Sequence, residues 1–553
     1  MITRRQLLKG GSAGALGLII PSAAFPAAPV AAASKPATVP LFTVRLPVPA
    51  KATPVSANTF HITQRQTRQR LHPMLGRTTV WGYDDGATGP TYPGPTIEVQ
   101  KGTPVTVSWT NQLPTTHLLP VDTSLTGGDA SVRTLTHMHG NLVAGASDGN
   151  PYATPAPEYV LGETQTAFYP NEQPPTTLWY HDHAHGITRL NVYAGLAGYY
   201  LIRDADDTGA EPNPIGIPGG RYEIPIVIQD RSFDANGQLL YLPPFGFGDT
   251  AIVNGVAFPF LNVEPRKYRF RFLNGANHRF FHLELADGPP FHQIGAEGGM
   301  FDAPVVRERL LMGSADRADV IVDFAGFEGK ELVLRNVDLP ASVVSAPAVN
   351  LPEIMLFRVL GAGTTRRHPG PATIPTSLPG SLPNFGPPQR ERYITLEFAA
   401  GRFLIDGLRF HDPVNIQVPE GDVEDWLLIN LTGATHPIHV HLVQFQIVSR
   451  RPFDVTAYRA ALTAARANNL PNPDPAPYYT GGPLPLQTND IGFKDNAFAN
   501  PREVTRIRAR YELPPDVTGT QKYVLHCHLL EHEDDDMMRP FEVSSTESTP
   551  SSA

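Results

Sequence analysis

Thr96-Ile-Glu-Val-Gln-Lys-Gly102, followed by Val105-Thr-Val-Ser-Trp-Thr-Asn111, reads as a strand, a turn and a second strand ending in Asn. Apolar and polar residues alternate along both runs, so each strand has one buried face. The unit recurs twice. Phe260-Leu-Asn-Val-Glu-Pro265 precedes Tyr268-Arg-Phe-Arg-Phe-Leu-Asn274, and Val414-Asn-Ile-Gln-Val-Pro-Glu-Gly421 precedes Trp426-Leu-Leu-Ile-Asn430. Asn111, Asn274 and Asn430 thus recur with a period of about 160 residues. One β-sandwich per period is predicted, three in all. The 57 Pro and 48 Gly among 553 residues, with only 18% charged, favour short strands and turns over long helices. The net charge of −9 offers no basic surface for nucleic acid.

The first and third periods carry clustered histidines. Thr136-His137-Met138-His139-Gly140 and Trp179-Tyr180-His181-Asp182-His183 lie in the first. His436-Pro-Ile-His439-Val-His441 and Tyr523-Val-Leu-His526-Cys527-His528-Leu-Leu-Glu-His532 lie in the third. Cys527 is the only cysteine, so it has no internal disulfide partner. A thiolate with two imidazoles and a weak axial methionine is the ligand set of a blue-copper electron-transfer site. Met537 and Met538 stand just beyond His532. Residues two apart share a strand face. His526 and His528 therefore face one way and Cys527 the other, so one segment can serve two metal centres. If the cysteine site takes His436 and His532, eight histidines remain as four pairs at two-residue spacing. Three further metals could share them as two, three and three.

These four segments resemble the copper signatures of the multicopper oxidases. In order and spacing they are nearest to the branch of bacterial spore-coat laccase, bilirubin oxidase and phenoxazinone synthase. Trp179-Tyr-His-Asp-His183-Ala, then Thr188-Arg-Leu-Asn-Val-Tyr-Ala-Gly195, resembles that branch, as does His526-Cys-His-Leu-Leu-Glu-His-Glu533 with Met537-Met-Arg-Pro540. The resemblance implies an all-β chain of three consecutive cupredoxin-like Greek-key β-sandwich domains. It implies four copper ions, one type 1, one type 2 and two type 3. His436, Cys527 and His532 would hold the type 1 copper, with Met537 axial in preference to Met538. His137 and His439 would hold the type 2 copper. His139, His181, His183, His441, His526 and His528 would hold the type 3 pair, between the first and third domains. The resemblance further implies one-electron oxidation of phenols, aromatic amines or bilirubin-like donors, coupled to reduction of dioxygen to two waters. Electrons are expected to arrive at His436 or His532, whichever edge faces solvent, and to pass through Cys527.

Reducing dioxygen to water consumes four protons, so acids near the cluster are chemically required. Asp148 and Glu533 match acidic positions that this branch places by the oxygen path. Asp534, Asp535 and Asp536 are read as solvated charges or as charges outside the ligand set. His185 and the eight remaining histidines are assigned structural places.

Residues 1–33 read as a leader. Thr3-Arg4-Arg5-Gln6-Leu7-Leu8-Lys9 resembles a twin-arginine export motif, followed by a short apolar run and Ala31-Ala32-Ala33. Export by the twin-arginine machinery to a periplasmic or extracellular location is expected, with no membrane span. The domains are expected at 38–205, 206–362 and 391–545, joined by a Pro-rich linker at 363–390. The second domain holds no motif histidine and is expected to act as a spacer that helps hold the outer two together. Val455–Asn469 is expected to be helical, and the Pro-rich 470–487 stretch to be a gate near the type 1 site. A monomer is expected, with dioxygen and small aromatic reductants as partners. Two other readings stand beside this one. A cuprous or manganese oxidase of the same family would often carry a methionine-rich insert, and here eight methionines are scattered. A copper-free structural cell-envelope protein on the same fold would have lost ligands.

Overall fold

The computed structural model describes residues 39–152, 158–346, 350–361 and 370–545. The leader and the first part of the expected linker, 363–369, lie outside the described residues. Among the described residues, six sheets pair into three successive sandwiches. In the first, strands Thr59–Gln69, Thr78–Asp84, Val105–Gln112 and Thr164–Tyr169 face strands Gly94–Gln100, Thr136–His139, Thr176–Asp182 and Ala197–Arg203. Ile62, Trp81, Trp109, Tyr180 and Tyr200 fill the space between them. An eight-stranded and a five-stranded sheet enclose the second core, built on Phe270, Phe272, Leu283, Leu334 and Phe357. Two five-stranded sheets enclose the third, around Trp426, Leu428, Ile438, Leu525 and Phe541.

The repeated unit is the crossover between the two sheets of each sandwich. Gly94–Gln100 and Val105–Gln112 belong to opposite sheets, as do Phe260–Val263 and Lys267–Asn274, and Gln417–Pro419 and Val423–Asn430. Each second strand then pairs in parallel with the first strand of the larger unit, as Val107 does with Phe60, Phe270 with Ile224 and Leu428 with Ile394. The terminal asparagine does the same work three times. Its Oδ1 accepts the backbone N–H two residues on, at Leu113, Ala276 and Thr432, over 2.8–3.0 Å. Its Nδ2 donates to carbonyls of a neighbouring segment, such as Tyr159, Arg279 and Ala434. A short amide side chain that can turn the chain and satisfy a buried segment explains why Asn ends each unit.

Among the described residues, four α-helices interrupt the strands: α1 (Gly145–Asp148), α2 (Thr188–Ala194), α3 (Val455–Ala467) and α4 (Leu530–Asp534). None among the described residues is long and apolar enough to cross a membrane. Asp454 caps α3 by accepting from Thr456 and Ala457 N–H. Tyr458 and Leu462 of α3 pack on Leu427, Ile429 and Leu431, with Tyr478 and Tyr479 beside them. The 470–487 stretch is therefore no free loop, since Tyr478 and Tyr479 dock it on the outer sheet of the third sandwich. Nor is residue stretch 370–390 a free spacer. Leu378 packs with Ile217, Ile294 and Ile321 of the second sandwich, and its N–H bonds the Asp302 carbonyl.

A buried charge network closes the seam between the first two sandwiches. Asp207 receives bonds from Arg269 and Arg271 at 2.7–2.9 Å, Glu223 from Arg203 at 2.7 Å, and Asp319 from Arg269 at 2.5–2.8 Å. Burial alone would push the Asp207 carboxyl up, but Arg269 and Arg271 outweigh it and hold the group below the usual carboxylate range. Removing one partner of such a set leaves an uncompensated buried charge. Arg269→Ala is therefore expected to cost about 3–5 kcal/mol by denaturant unfolding. Arg510→Ala, at an exposed pair with Glu512, should cost less than about 1 kcal/mol.

Candidate metal centres

The strand Thr520–Cys527 builds both centres. Tyr523, Leu525 and Cys527 face the core of the third sandwich. His526 faces out, opposite His439 in register, while Cys527 lies opposite Ile438. Cys527 Sγ lies 3.5 Å from His436 Nδ1 and 3.7 Å from His532 Nδ1, and those nitrogens are 3.2 Å apart. His436 Nε2–H donates to Thr432 Oγ1 at 2.6 Å, which leaves Nδ1 bare toward the thiol. Met537 is buried in the same core. Its carbonyl accepts from Cys527 N–H and its N–H donates to the His532 carbonyl, both at 2.9 Å. Met538 belongs to a different cluster, with Phe410 and Val524. Burial lowers His436 to about 3 and pushes the Cys527 thiol well up. A cation would have to displace the thiol proton, as thiolate metal sites do.

The eight other motif histidines meet where the first and third sandwiches touch. Strands Thr136–His139 and Thr176–Asp182 pair with His137 opposite His181. His183 Nε2 and His441 Nε2 each lie 3.3 Å from His526 Nε2. Imidazole nitrogens about 2.0–2.1 Å from one metal, at tetrahedral angles, stand about that far apart. His139, His181 and His528 form a matching trio, with ring centroids 5.0–5.7 Å apart. His137 and His439 flank both trios and stack on His441 and His139 respectively. Hydrogen bonds at one ring nitrogen leave the other bare. His137 Nδ1–H donates to the Asp148 carbonyl at 2.6 Å, His181 Nδ1–H to the Asp182 carbonyl at 2.8 Å and His439 Nδ1–H to the Asp495 carbonyl at 2.7 Å. His139 is reversed, with Nε2–H on Asp495 Oδ1 at 3.2 Å. Among the described residues, the Nε2 atoms of His137, His181, His439 and His528 and the Nδ1 of His139 are buried without a hydrogen-bond partner. Burial holds all eight rings in their neutral form, the form that binds metal.

Both singled-out acids sit against these rings. Asp148 Oδ2 accepts from His441 Nδ1–H at 2.7 Å and from Asn150 Nδ2 at 2.8 Å. Burial lifts its carboxyl to about 8. Glu533 reaches His526 Nδ1 at 3.0 Å and His183 Nδ1 at 3.4 Å. Burial, partly opposed by His183, lifts it to about 7. Two carboxyls that hold protons near neutrality thus stand against different rings of the His183, His441 and His526 trio.

Other placements differ from the sequence reading. Neither histidine expected at the type 1 site has a free edge, since His436 is 0% and His532 2% exposed. Phe403 stacks on His532 at 3.7 Å, and Thr432 covers His436. Of the two places expected for the three aspartates, the structure shows the second, as charges outside the ligand set. Asp534 is buried and accepts from Thr188 N–H, Arg189 N–H and Arg189 Nη1, so it caps α2 from the third sandwich. Asp535 holds Phe403 N–H and Arg402, and Asp536 holds Phe410 N–H. His185 lies against Phe410 and His411, outside both ligand sets. Thr432, Asp495 and Ser314, which accepts from His528 Nδ1–H at 3.2 Å, were not found in the sequence. They carry no motif spacing and come from distant segments.

Comparison with known proteins agrees with this geometry. Profiles of the multicopper oxidase family match residues 129–207 and 384–547. The laccase of Bacillus stratosphericus is 37% identical over 91% of this chain and 99% of its own length. That of Bacillus subtilis (strain 168) is 34% identical over 92% and 99%. The McoA multicopper oxidase from the hyperthermophile Aquifex aeolicus superimposes with a TM-score of 0.74 at 28% identity, over 90% of this chain and 99% of that one.

Close packing of the cluster sets its own test. A Cβ on Gly149 (φ 76°) would lie 2.0 Å from the Thr136 carbonyl oxygen, beside His137. Gly149→Ala is expected to destabilise the fold by about 2–3 kcal/mol in denaturant unfolding. Gly433→Ala, with nothing within 4 Å of the added carbon, should change it by less than about 0.5 kcal/mol.

Proposed function

Because this chain belongs to the multicopper oxidase family, as a laccase-like oxidoreductase, we propose that it holds four coppers and uses them to oxidise small aromatic reductants at the expense of dioxygen. The observation that carries the reading is the convergence of bare ring nitrogens. Five have no partner, and three more face one another at the spacing a shared metal requires. Soft thiolate with imidazole at one site and imidazole alone at the other suit copper. Copper supplies the one-electron steps at the thiolate site and the four-electron reduction of dioxygen to two waters at the cluster.

The protein's own groups do the rest. His436, Cys527, His532 and Met537 make the type 1 set. His137 and His439 make the type 2 set. His139, His181 and His528, and His183, His441 and His526, make the two type 3 sets. Cys527 is one peptide bond from each of two cluster histidines, so the route between centres is short and covalent. Glu533 at His183 and His526, and Asp148 at His441, hold the protons that water formation consumes. Phenols, aromatic amines and bilirubin-like donors are the proposed reductants. They would approach over Phe403, whose ring lies on His532 and touches the exposed Phe398. Eight scattered methionines give no cluster to select cuprous ions. Twin-arginine export, a periplasmic or extracellular location, a monomeric state and domains at 38–205, 206–362 and 391–545 belong to the same proposal.

The copper-loaded protein should show an intense visible copper–thiolate absorption and about four coppers per chain, the type 1, type 2 and paired type 3 ions of this family. In Cys527→Ser that absorption should vanish while copper in the cluster is retained. A colourless, copper-poor wild type after reconstitution would refute the reading and favour a structural role. Glu533→Gln and Asp148→Asn should each slow steady-state oxygen uptake by about 10²- to 10⁴-fold. Rapid-mixing reduction of the thiolate centre should keep its wild-type rate in both variants.

A further inference from the structure

The middle sandwich holds no motif histidine, yet its turn Gly313–Arg317 touches the cluster through two side chains. Ser314 Oγ–H donates to the Ala276 carbonyl at 2.7 Å. Its lone pairs are then free to accept from His528 Nδ1–H at 3.2 Å, which leaves His528 Nε2 bare toward the cluster. Arg317 grips the Asp495 carboxylate with both terminal nitrogens, at 2.9 and 2.5 Å. Asp495 in turn receives His139 Nε2–H on its carboxylate and His439 Nδ1–H on its carbonyl. Two further N–H groups of Arg317 reach the Ala315 and Thr177 carbonyls, the latter on the strand that carries His181. One guanidinium thus bonds all three sandwiches.

The local backbone is committed to this arrangement. Ala315 at the centre of the turn has φ 74° and is fully buried, a conformation an alanine keeps only where its surroundings impose it. Gly140, next to His139, has no room for a side chain, because a Cβ there would come within 2.5 Å of Asp495 Oδ2 and 2.8 Å of Arg317 Nη2.

We infer that Ser314 and Arg317 are positioning residues for the three-copper cluster, so that the middle sandwich sets the aim of His528, His139 and His439 and does not merely space the outer two. The inference rests on the copper reading above. Orientation matters because a ligand ring held in the wrong tautomer or tilt presents no lone pair to the metal. Partners of metal-bound histidines are commonly worth about 10- to 100-fold in metal affinity or activity.

The test uses the full-length, copper-loaded protein and its Ser314→Ala, Arg317→Gln and Arg317→Lys variants. Four readouts apply: cluster copper retained against a chelator, the type 2 copper EPR signal, the copper–thiolate absorption, and KM for dioxygen. In Ser314→Ala and Arg317→Gln, cluster copper affinity should fall about 10- to 100-fold. The type 2 signal should shift in Arg317→Gln, which reaches His439 through Asp495, and KM for dioxygen should rise in both variants, with the copper–thiolate absorption unchanged. Arg317→Lys should recover part of this, since it keeps the charge but loses the two-pronged grip. Wild-type values of cluster affinity, signal and KM in both variants would overturn the inference. Parallel loss of both centres with global stability would overturn it too, by reducing these residues to packing. Should Arg317→Gln fail to fold, Ser314→Ala decides alone, since it removes one hydroxyl and no charge. A wild type that binds no copper would instead bring down the underlying reading.

Discussion

Successive side chains leave a strand on opposite faces, and at His526-Cys527-His528 that alternation separates two environments by one peptide bond. Cys527 enters an apolar core with Leu525 and Phe541, while His526 and His528 enter a polar seam between sandwiches. Everything else in the site is arranged around this register. A one-residue slip would send the thiol to the seam and two imidazoles into the core. The register is pinned on both sides, by Ile438 opposite Cys527 and Met538 opposite His526. Tyr523 also reaches across to the Val143 carbonyl of the first sandwich at 2.8 Å.

The cost of this design is electrostatic. Eight neutral imidazoles, two protonatable carboxyls and a thiol are buried in one region, several of them without hydrogen-bond partners. Buried polar atoms left unpaired are destabilising. The molecule concentrates that deficit where a cation can relieve it and surrounds it with fully paired charges. Arg317 with Asp495, Lys494 with Glu297 and Arg189 with Asp534 all lie at this seam. Metal binding and domain docking therefore stabilise the same interface.

The histidine pairs were legible in the sequence because two-residue spacing is a local signal and local signals survive in a string of letters. Three sandwiches were legible because Asn111, Asn274 and Asn430 mark the same crossover turn. What escaped was non-local. Asp495 is an ordinary aspartate until the fold brings it 356 residues along the chain to His139. Ser314 and Arg317 sit in a domain with no ligand of its own, which made that domain look like a spacer. Asp534, Asp535 and Asp536 resembled a solvated run because charge density is visible in sequence and the N–H groups waiting for it are not. Covered edges at His436 and His532 depend on Thr432 and Phe403, whose identities alone predict neither contact.

The pairing of first and third sandwiches has a consequence during synthesis. Asp148 meets His441 across 293 residues, and His183 meets His526 across 343. A nascent chain can finish its first sandwich, with four of the eight imidazoles in place, long before the other four leave the ribosome. During that interval the half-site is a solvent-facing patch of histidines able to catch any passing metal. Only the Thr520–Cys527 strand, next to last among those described, supplies the thiol and completes the cluster, so discrimination between copper and its competitors falls to the nearly finished chain.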